Sequence, residues 1–134
     1  MTGQIWKRFQ GFVAIGGVGF AVEALIITLA TSQSFGLPAV MARLLSFPCA
    51  VLVTWWLNRQ YNFYSRDSAL SEGVRYLATQ GVGALLNLAA YVSCVYAFPP
   101  LAAWPIVALG IGAGAGLAVN FSLSYLYVFR KRKS

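Results

Sequence analysis

Histidine is absent from this chain, and the only acidic residues in its 134 positions are Glu23, Asp67 and Glu72. General acid–base and nucleophilic catalysis require positioned titratable groups, so this inventory argues against an enzyme. The two cysteines, Cys49 and Cys94, lie far apart in apolar runs. Metal sites need clustered, deprotonable ligands at set spacings. Neither a metal nor any other cofactor is implied, and both cysteines read most simply as small packing residues. Charge of either sign is scarce: 10% of residues are charged against 59% hydrophobic. A soluble domain of this size cannot cover so much apolar surface.

What is present is length of apolar sequence. Four segments, at about 10–31, 37–57, 76–98 and 103–128, each reach the ~20 residues that carry a helix across a ~30 Å hydrocarbon core. They run continuously apolar rather than alternating, which excludes barrel strands. Lys7-Arg8 before an apolar run resembles the start of a signal peptide. The length of that run, its Glu23 and its match to the third segment read instead as a retained span. The expectation is an all-α membrane protein, with residues 1–134 forming a single transmembrane domain of four helices.

The segments also repeat. Gly17-Val18-Gly19 is echoed by Gly81-Val82-Gly83, and Glu23 by Asn87. The second and fourth segments close on similar phrases, Asn58-Arg59-Gln60-Tyr61-Asn62-Phe63 and Ser124-Tyr125-Leu126-Tyr127-Val128-Phe129. A repeat of about 65 residues, here about 8–64 and 74–130, reads as two parallel two-helix repeats. Of the ten Lys and Arg, all but Arg43 fall before the first span, around the second connection or in the tail Arg130–Lys133. The positive-inside rule then places both termini and the central connection in the cytoplasm. The net charge of +7 is accounted for by topology and by attraction to anionic lipid. No stacking platform or groove-reading motif accompanies it, so nucleic acid is not an expected partner.

On a 3.6-residue period each span carries one stripe of small and polar residues. The second gives Arg43, Ser46, Ala50, Thr54 and Asn58; the third Gln80, Gly83, Asn87, Tyr91 and Cys94; the fourth Gly112, Gly116, Asn120 and Ser124; the first Gly16, Gly19 and Glu23. Close helix packing explains the glycines best, with Gly110, Gly112, Gly114 and Gly116 forming two overlapping G-xxx-G patterns. Such faces are also compatible with homo-oligomers. Glu23 and Arg43 are harder to assign to packing, because an intramembrane charge costs ~2.5–3.5 kcal/mol even on the lenient insertion scale. Entering from the same outer side, they are expected at similar depth, either as an ion pair that fixes register or lining a polar cavity. Pro38 suits the first turn of the second helix, and Pro48 should bend that helix by freeing the carbonyl near Leu44.

At the cytoplasmic ends Trp55, Tyr61, Phe63, Tyr127 and Phe129 read mostly as an interfacial aromatic belt. Asn58-Arg59 beside them also suits a lipid phosphate, since guanidinium binds phosphate oxygens bidentately. Asp67 and Glu72 are expected to be solvated partners of the nearby arginines.

These residues together resemble the GtrA-like family of small four-helix membrane proteins over nearly the whole chain. The resemblance rests on Gly16-Gly17-Val18-Gly19 with Glu23, on Arg43 followed by Ser46, and on Asn58-Arg59-x-Tyr61-x-Phe63. A weaker second copy reads Arg75-Tyr76, Gly81 to Asn87, Asn120-Phe121 and Tyr127-Val128-Phe129. It implies a multi-pass protein of the inner (plasma) membrane that handles polyprenyl-phosphate or polyprenyl-phosphate-sugar for cell-surface glycan synthesis. The first expectation is translocation of that lipid. Arg43, Arg59, Arg66 and Arg75 would bind its phosphate, and Glu23, Ser46, Thr54, Asn58, Gln80, Asn87, Asn120 and Ser124 would face the sugar. The second is a non-transporting scaffold for a membrane glycosyltransferase. A third, a proton-coupled exporter of the small multidrug type, fits Glu23 but conflicts with the one-sided charge and with Arg43. Since Ser124-Tyr125 stands where the first copy has Asn58-Arg59, the expected anion site is lopsided toward the first hairpin.

Overall fold

A computed structural model of the chain describes residues 2–98, 100 and 105–129. These residues form four α-helices: α1 (Thr2–Thr31), α2 (Ala39–Leu57), α3 (Ala69–Ala97) and α4 (Pro105–Leu123). No strand occurs among them. Three stretches are long and apolar enough to cross a membrane: Gly3–Thr31, Ala69–Cys94 and Gly110–Val128. α2 has 19 residues, roughly 28 Å at 1.5 Å per residue. α1 and α3 begin earlier than their apolar runs, at Thr2 and Ala69 rather than near residues 10 and 76. Polar residues extend a helix as readily as apolar ones once it has nucleated. The tail Arg130–Ser134 and most of the third connection lie outside the described residues.

The chain divides into two compact units, Met1–Leu77 and Ala78–Ser134. In the first, α1 ends in a turn that needs Gly36 in the left-handed region, at φ 59°. The Gly36 amide donates to the Ser32 carbonyl at 2.7 Å, and that of Leu37 to Ala30 at 2.9 Å. Pro38 takes the N-cap position rather than the first turn. α2 then runs as continuous helix through Pro48, and α1 and α2 pack antiparallel. A Cβ on Gly19 would meet Thr54 Cγ2 at 2.5 Å, and one on Gly11 would meet Asn62 Oδ1 at 2.7 Å. Glycine at both points lets the two backbones close.

The second unit uses the same device. A Cβ on Gly116 would lie 2.8 Å from the Gly83 carbonyl oxygen and 3.0 Å from Asn87 Cβ, and one on Gly83 would collide with the Asn120 side chain. The two overlapping glycine patterns of the fourth segment therefore separate by face. Gly112 and Gly116 are buried, whereas Gly110 and Gly114 are exposed, the latter two with nothing within 4 Å of an added Cβ. Gly116→Val is expected to lower the thermal midpoint in detergent, because the opposing atom is backbone and overpacking costs about 1–3 kcal/mol. Gly114→Ala should leave that midpoint unchanged.

α2 and α4 both finish in five-residue π-helical turns, Asn58–Asn62 and Ser124–Val128. Each is closed by the amide of the following phenylalanine: Phe63 donates to the Asn58 carbonyl at 2.8 Å, and Phe129 to that of Ser124 at 2.9 Å. Both rings are buried. The repeated phrase thus encodes a local wide turn with an inward-facing plug.

Candidate functional site

In the first unit the polar residues of α2 form one buried face. Ser46, Thr54 and Asn58 are all buried, with Ala42 and Ala50 on the same stripe. Asn58 stands at the start of the π turn, where its Nδ2 donates to the Thr54 carbonyl at 2.9 Å and to the Tyr76 hydroxyl at 3.1 Å. Asn62, one turn on, donates to Asn58 Oδ1 and to the Arg8 carbonyl of α1, each at 3.0 Å. The π turn is thereby tied to both neighbouring helices. A buried amide whose hydrogen-bonding groups are satisfied adds rigidity at little cost.

Beside this amide network sits a carboxylate. Glu72 is fully buried in the first turn of α3, where the helix N-terminus favours negative charge. Its Oε1 accepts from Arg59 Nη1 at 2.7 Å and from Trp55 Nε1 at 3.1 Å. Its Oε2 accepts from the Ser65 hydroxyl. Arg59 Nη2 reaches the Asp67 carbonyl at 2.6 Å, and its guanidinium lies 6.0 Å from the Trp55 ring. The connection between α2 and α3 is drawn back by Tyr64, a non-glycine residue at φ 52°, so that the Ser65 amide returns to the Arg59 carbonyl at 3.0 Å.

This corrects the expectation of a solvated Glu72. A third helix begun at its apolar run, near residue 76, leaves Glu72 in the preceding connection. With the helix beginning at Ala69, Glu72 and Tyr76 continue the stripe of Gln80, Gly83 and Asn87 at spacings of three and four, and that periodicity was the missed signal. The roles of the arginines are sharpened too. Arg59 is already matched by a buried carboxylate, so a lipid phosphate would have to share or displace Glu72. Arg75 lies 4.0 Å from Asp67 and is half-buried. Arg66 is exposed and makes no ion pair among the described residues.

The aromatic residues divide as well. Tyr61 and Tyr127 are exposed, as a membrane-interface belt requires, but Phe63 and Phe129 are buried plugs and Trp55 is a hydrogen-bond donor to Glu72. Cys49 is exposed rather than packed, and both cysteines are free. Glu23 is half-buried on α1. The pairing of Gly19 with Ala50 and Thr54 sets its backbone level with the middle of α2, roughly 10 Å along the axis from that of Arg43. The side chain of Arg43 lies outside the described residues, and any Glu23–Arg43 pairing with it.

In the second unit Gln80, Asn87 and Asn120 are half-buried and Ser124 is fully buried. Gln80 Nε2, Asn120 Oδ1 and Ser124 Oγ are buried atoms with no hydrogen-bond partner among the described residues. The contacts of Gly83 with Asn120 and of Gly116 with Asn87 fix an antiparallel register. Gln80, one turn before Gly83, is therefore level with Ser124, one turn after Asn120. No ionisable side chain other than tyrosine or cysteine occurs between Ala78 and Phe129.

A family model described as GtrA/DPMS, transmembrane domain, matches residues 11–129. No curated protein and no solved structure matches the chain.

Proposed function

This chain belongs to the GtrA/DPMS transmembrane-domain family, and from that premise we propose that it moves a polyprenyl-phosphate-linked sugar across the membrane. The observation that carries the reading is polarity buried inside apolar spans. Ser124 is buried in the apolar stretch Gly110–Val128, and Ser46, Thr54 and Asn58 are buried along α2 and its closing turn, where Leu44, Leu45, Leu52 and Trp56 are exposed. Such residues mark pathways more often than they serve lipid-facing helices.

In this reading the termini and the α2–α3 connection face the cytoplasm of a multi-pass inner-membrane protein. Arg66, open to solvent, meets the lipid phosphate first. Arg75 and Arg59 hold it as the head leaves water, and Arg43 receives it nearer the outer face. Glu23, Asn58, Asn87 and Asn120 replace water around the sugar hydroxyls, because polar groups taken out of water need partners. The isoprenoid tail stays in lipid. The protein contributes binding and passage, not bond-making, and anionic lipids gather at its basic flank.

The second reading is a scaffold that positions a membrane glycosyltransferase, with the basic tail as its docking segment. Vesicles reconstituted with the full chain and a labelled polyprenyl-phosphate-glucose separate the two. Translocation predicts label crossing faster than in protein-free vesicles; equal rates would sink it. Deleting Arg130–Ser134 should leave that flux within about twofold, because this reading assigns the phosphate to Arg43, Arg59, Arg66 and Arg75 and leaves the tail only a general attraction to anionic lipid. A scaffold would instead lose glycosyltransferase recruitment on the same deletion, read by co-purification.

A further inference from the structure

Both terminal nitrogens of Arg59 are engaged within the chain. Nη1 donates to Glu72 Oε1 at 2.7 Å, and Nη2 to the Asp67 carbonyl at 2.6 Å. An end-on bidentate grip on phosphate uses those same two nitrogens, and the guanidinium is largely buried. The clasp and a phosphate therefore compete for Arg59. Two residues of the α2–α3 connection fasten the clasp: the Ser65 hydroxyl donates to Glu72 Oε2, and Asp67 offers its carbonyl to Arg59. Between them stands Arg66, exposed and without an ion pair among the described residues. The connection enters this arrangement through Tyr64, a non-glycine residue at φ 52° whose ring is exposed. Backbone of that kind is held at a cost and recurs at switching segments.

We propose that Ser65-Arg66-Asp67 is a strap released by phosphate, with Glu72 as the internal competitor that keeps Arg59 fastened until a lipid phosphate reaches Arg66. The proposal rests on the lipid-phosphate reading above and adds how that site is regulated. A phosphate drawn to Arg66 acts on a residue flanked on both sides by contacts of the clasp. Movement of Arg66 toward it withdraws the Ser65 hydroxyl from Glu72 and the Asp67 carbonyl from Arg59. Arg59 then turns to the phosphate as a charge-assisted donor. Glu72 keeps the Trp55 indole N–H and its place in the first turn of α3, where the helix end favours negative charge. Relief of the left-handed backbone at Tyr64 favours the open strap. At rest the fastened form lowers the apparent affinity in proportion to the fraction of molecules that are open.

The test uses the full chain in phosphatidylcholine nanodiscs, with farnesyl phosphate, inorganic phosphate and farnesol as probes. Glu72→Gln is expected to bind farnesyl phosphate about tenfold tighter than wild type, despite its lower stability, because the competitor for Arg59 is gone. A purely structural Glu72 predicts equal or weaker binding, and that result would remove the strap while leaving the lipid-phosphate reading in place. Ser65→Ala keeps every charge and covers the case of a Glu72→Gln that fails to fold. It should bind about threefold tighter, within the usual size of a neutral hydrogen bond; unchanged affinity would count against the strap in the same way. Hydrogen exchange supplies the second readout at the Ser65 amide, which donates to the Arg59 carbonyl. Farnesyl phosphate should speed its exchange in the wild type by about tenfold, the sign of a local opening. Slower or unchanged exchange would mean that the strap stays fastened with ligand bound, and would overturn the proposal. Release by inorganic phosphate or by farnesol to the same extent would deny the lipid phosphate its role as trigger. Farnesyl phosphate that binds neither wild type nor variant removes the lipid-phosphate reading and the strap together.

Discussion

Glu72→Ala is expected to be the most damaging single substitution in the first unit, costing about 3–5 kcal/mol of stability. The carboxylate is fully buried and receives Arg59, Trp55 and Ser65. Its removal leaves the Arg59 guanidinium, only 16% exposed, as an uncompensated buried charge. The loss also frees the connection that Ser65 and the Asp67 carbonyl hold against α2. Thermal unfolding in detergent measures it, with the double variant Arg59→Met, Glu72→Leu as the comparison. If the penalty comes from the orphaned charge, the double variant recovers most of the midpoint lost by Glu72→Ala. If it does not, the geometry around Trp55 carries the stability and the ion pair is incidental. Glu72→Gln should fall between, because the amide oxygen still accepts one donor but no longer neutralises Arg59.

The second large effect is functional. Arg43→Ala is expected to reduce sugar-lipid translocation by about ten- to hundredfold, the value of a lost charge-assisted hydrogen bond of about 1.5–3 kcal/mol. Insertion and yield should be preserved. Arg43 is the one cation of the chain away from the cytoplasmic groups in the proposed topology. No other cation is placed by that topology to meet a phosphate on the outer half of the path. Arg43→Lys should recover part of the flux, since the charge returns without the bidentate geometry. Wild-type flux in vesicles carrying Arg43→Ala would remove Arg43 from the path. Arg59→Ala gives a mixed result by comparison, because it disrupts the Glu72 network as well as any phosphate contact.

The sequence was most informative where the physics is local. Four apolar segments, the glycines that permit close helix approach and the repeated phrase at 58–63 and 124–129 could all be read from residue order. Both copies of the phrase close a π turn on a buried phenylalanine. Which of its aromatics face inward was not legible: Phe63 and Phe129 are buried while Tyr61 and Tyr127 are exposed, and hydrophobicity does not say which face of a turn points inward. Glu72 was hidden for a related reason. A boundary placed at the first apolar residue cuts off the polar turn preceding it, and the buried carboxylate is in that turn.

Residue order carried a membrane protein of apolar helices and the stripe of each helix that bears polar residues. These follow from composition and periodicity along one chain, whereas the family came from the resemblance of its motifs. How those stripes are used emerged from the packing of one helix on another. Asn58 meets Tyr76 and Arg59 meets Glu72, while Gln80 Nε2, Asn120 Oδ1 and Ser124 Oγ find no hydrogen-bond partner among the described residues. The physical reason is that hydrogen bonding is a property of pairs. Whether a buried polar atom is glue or a ligand site depends on what another helix brings opposite it, and spacing along a single helix does not contain that information.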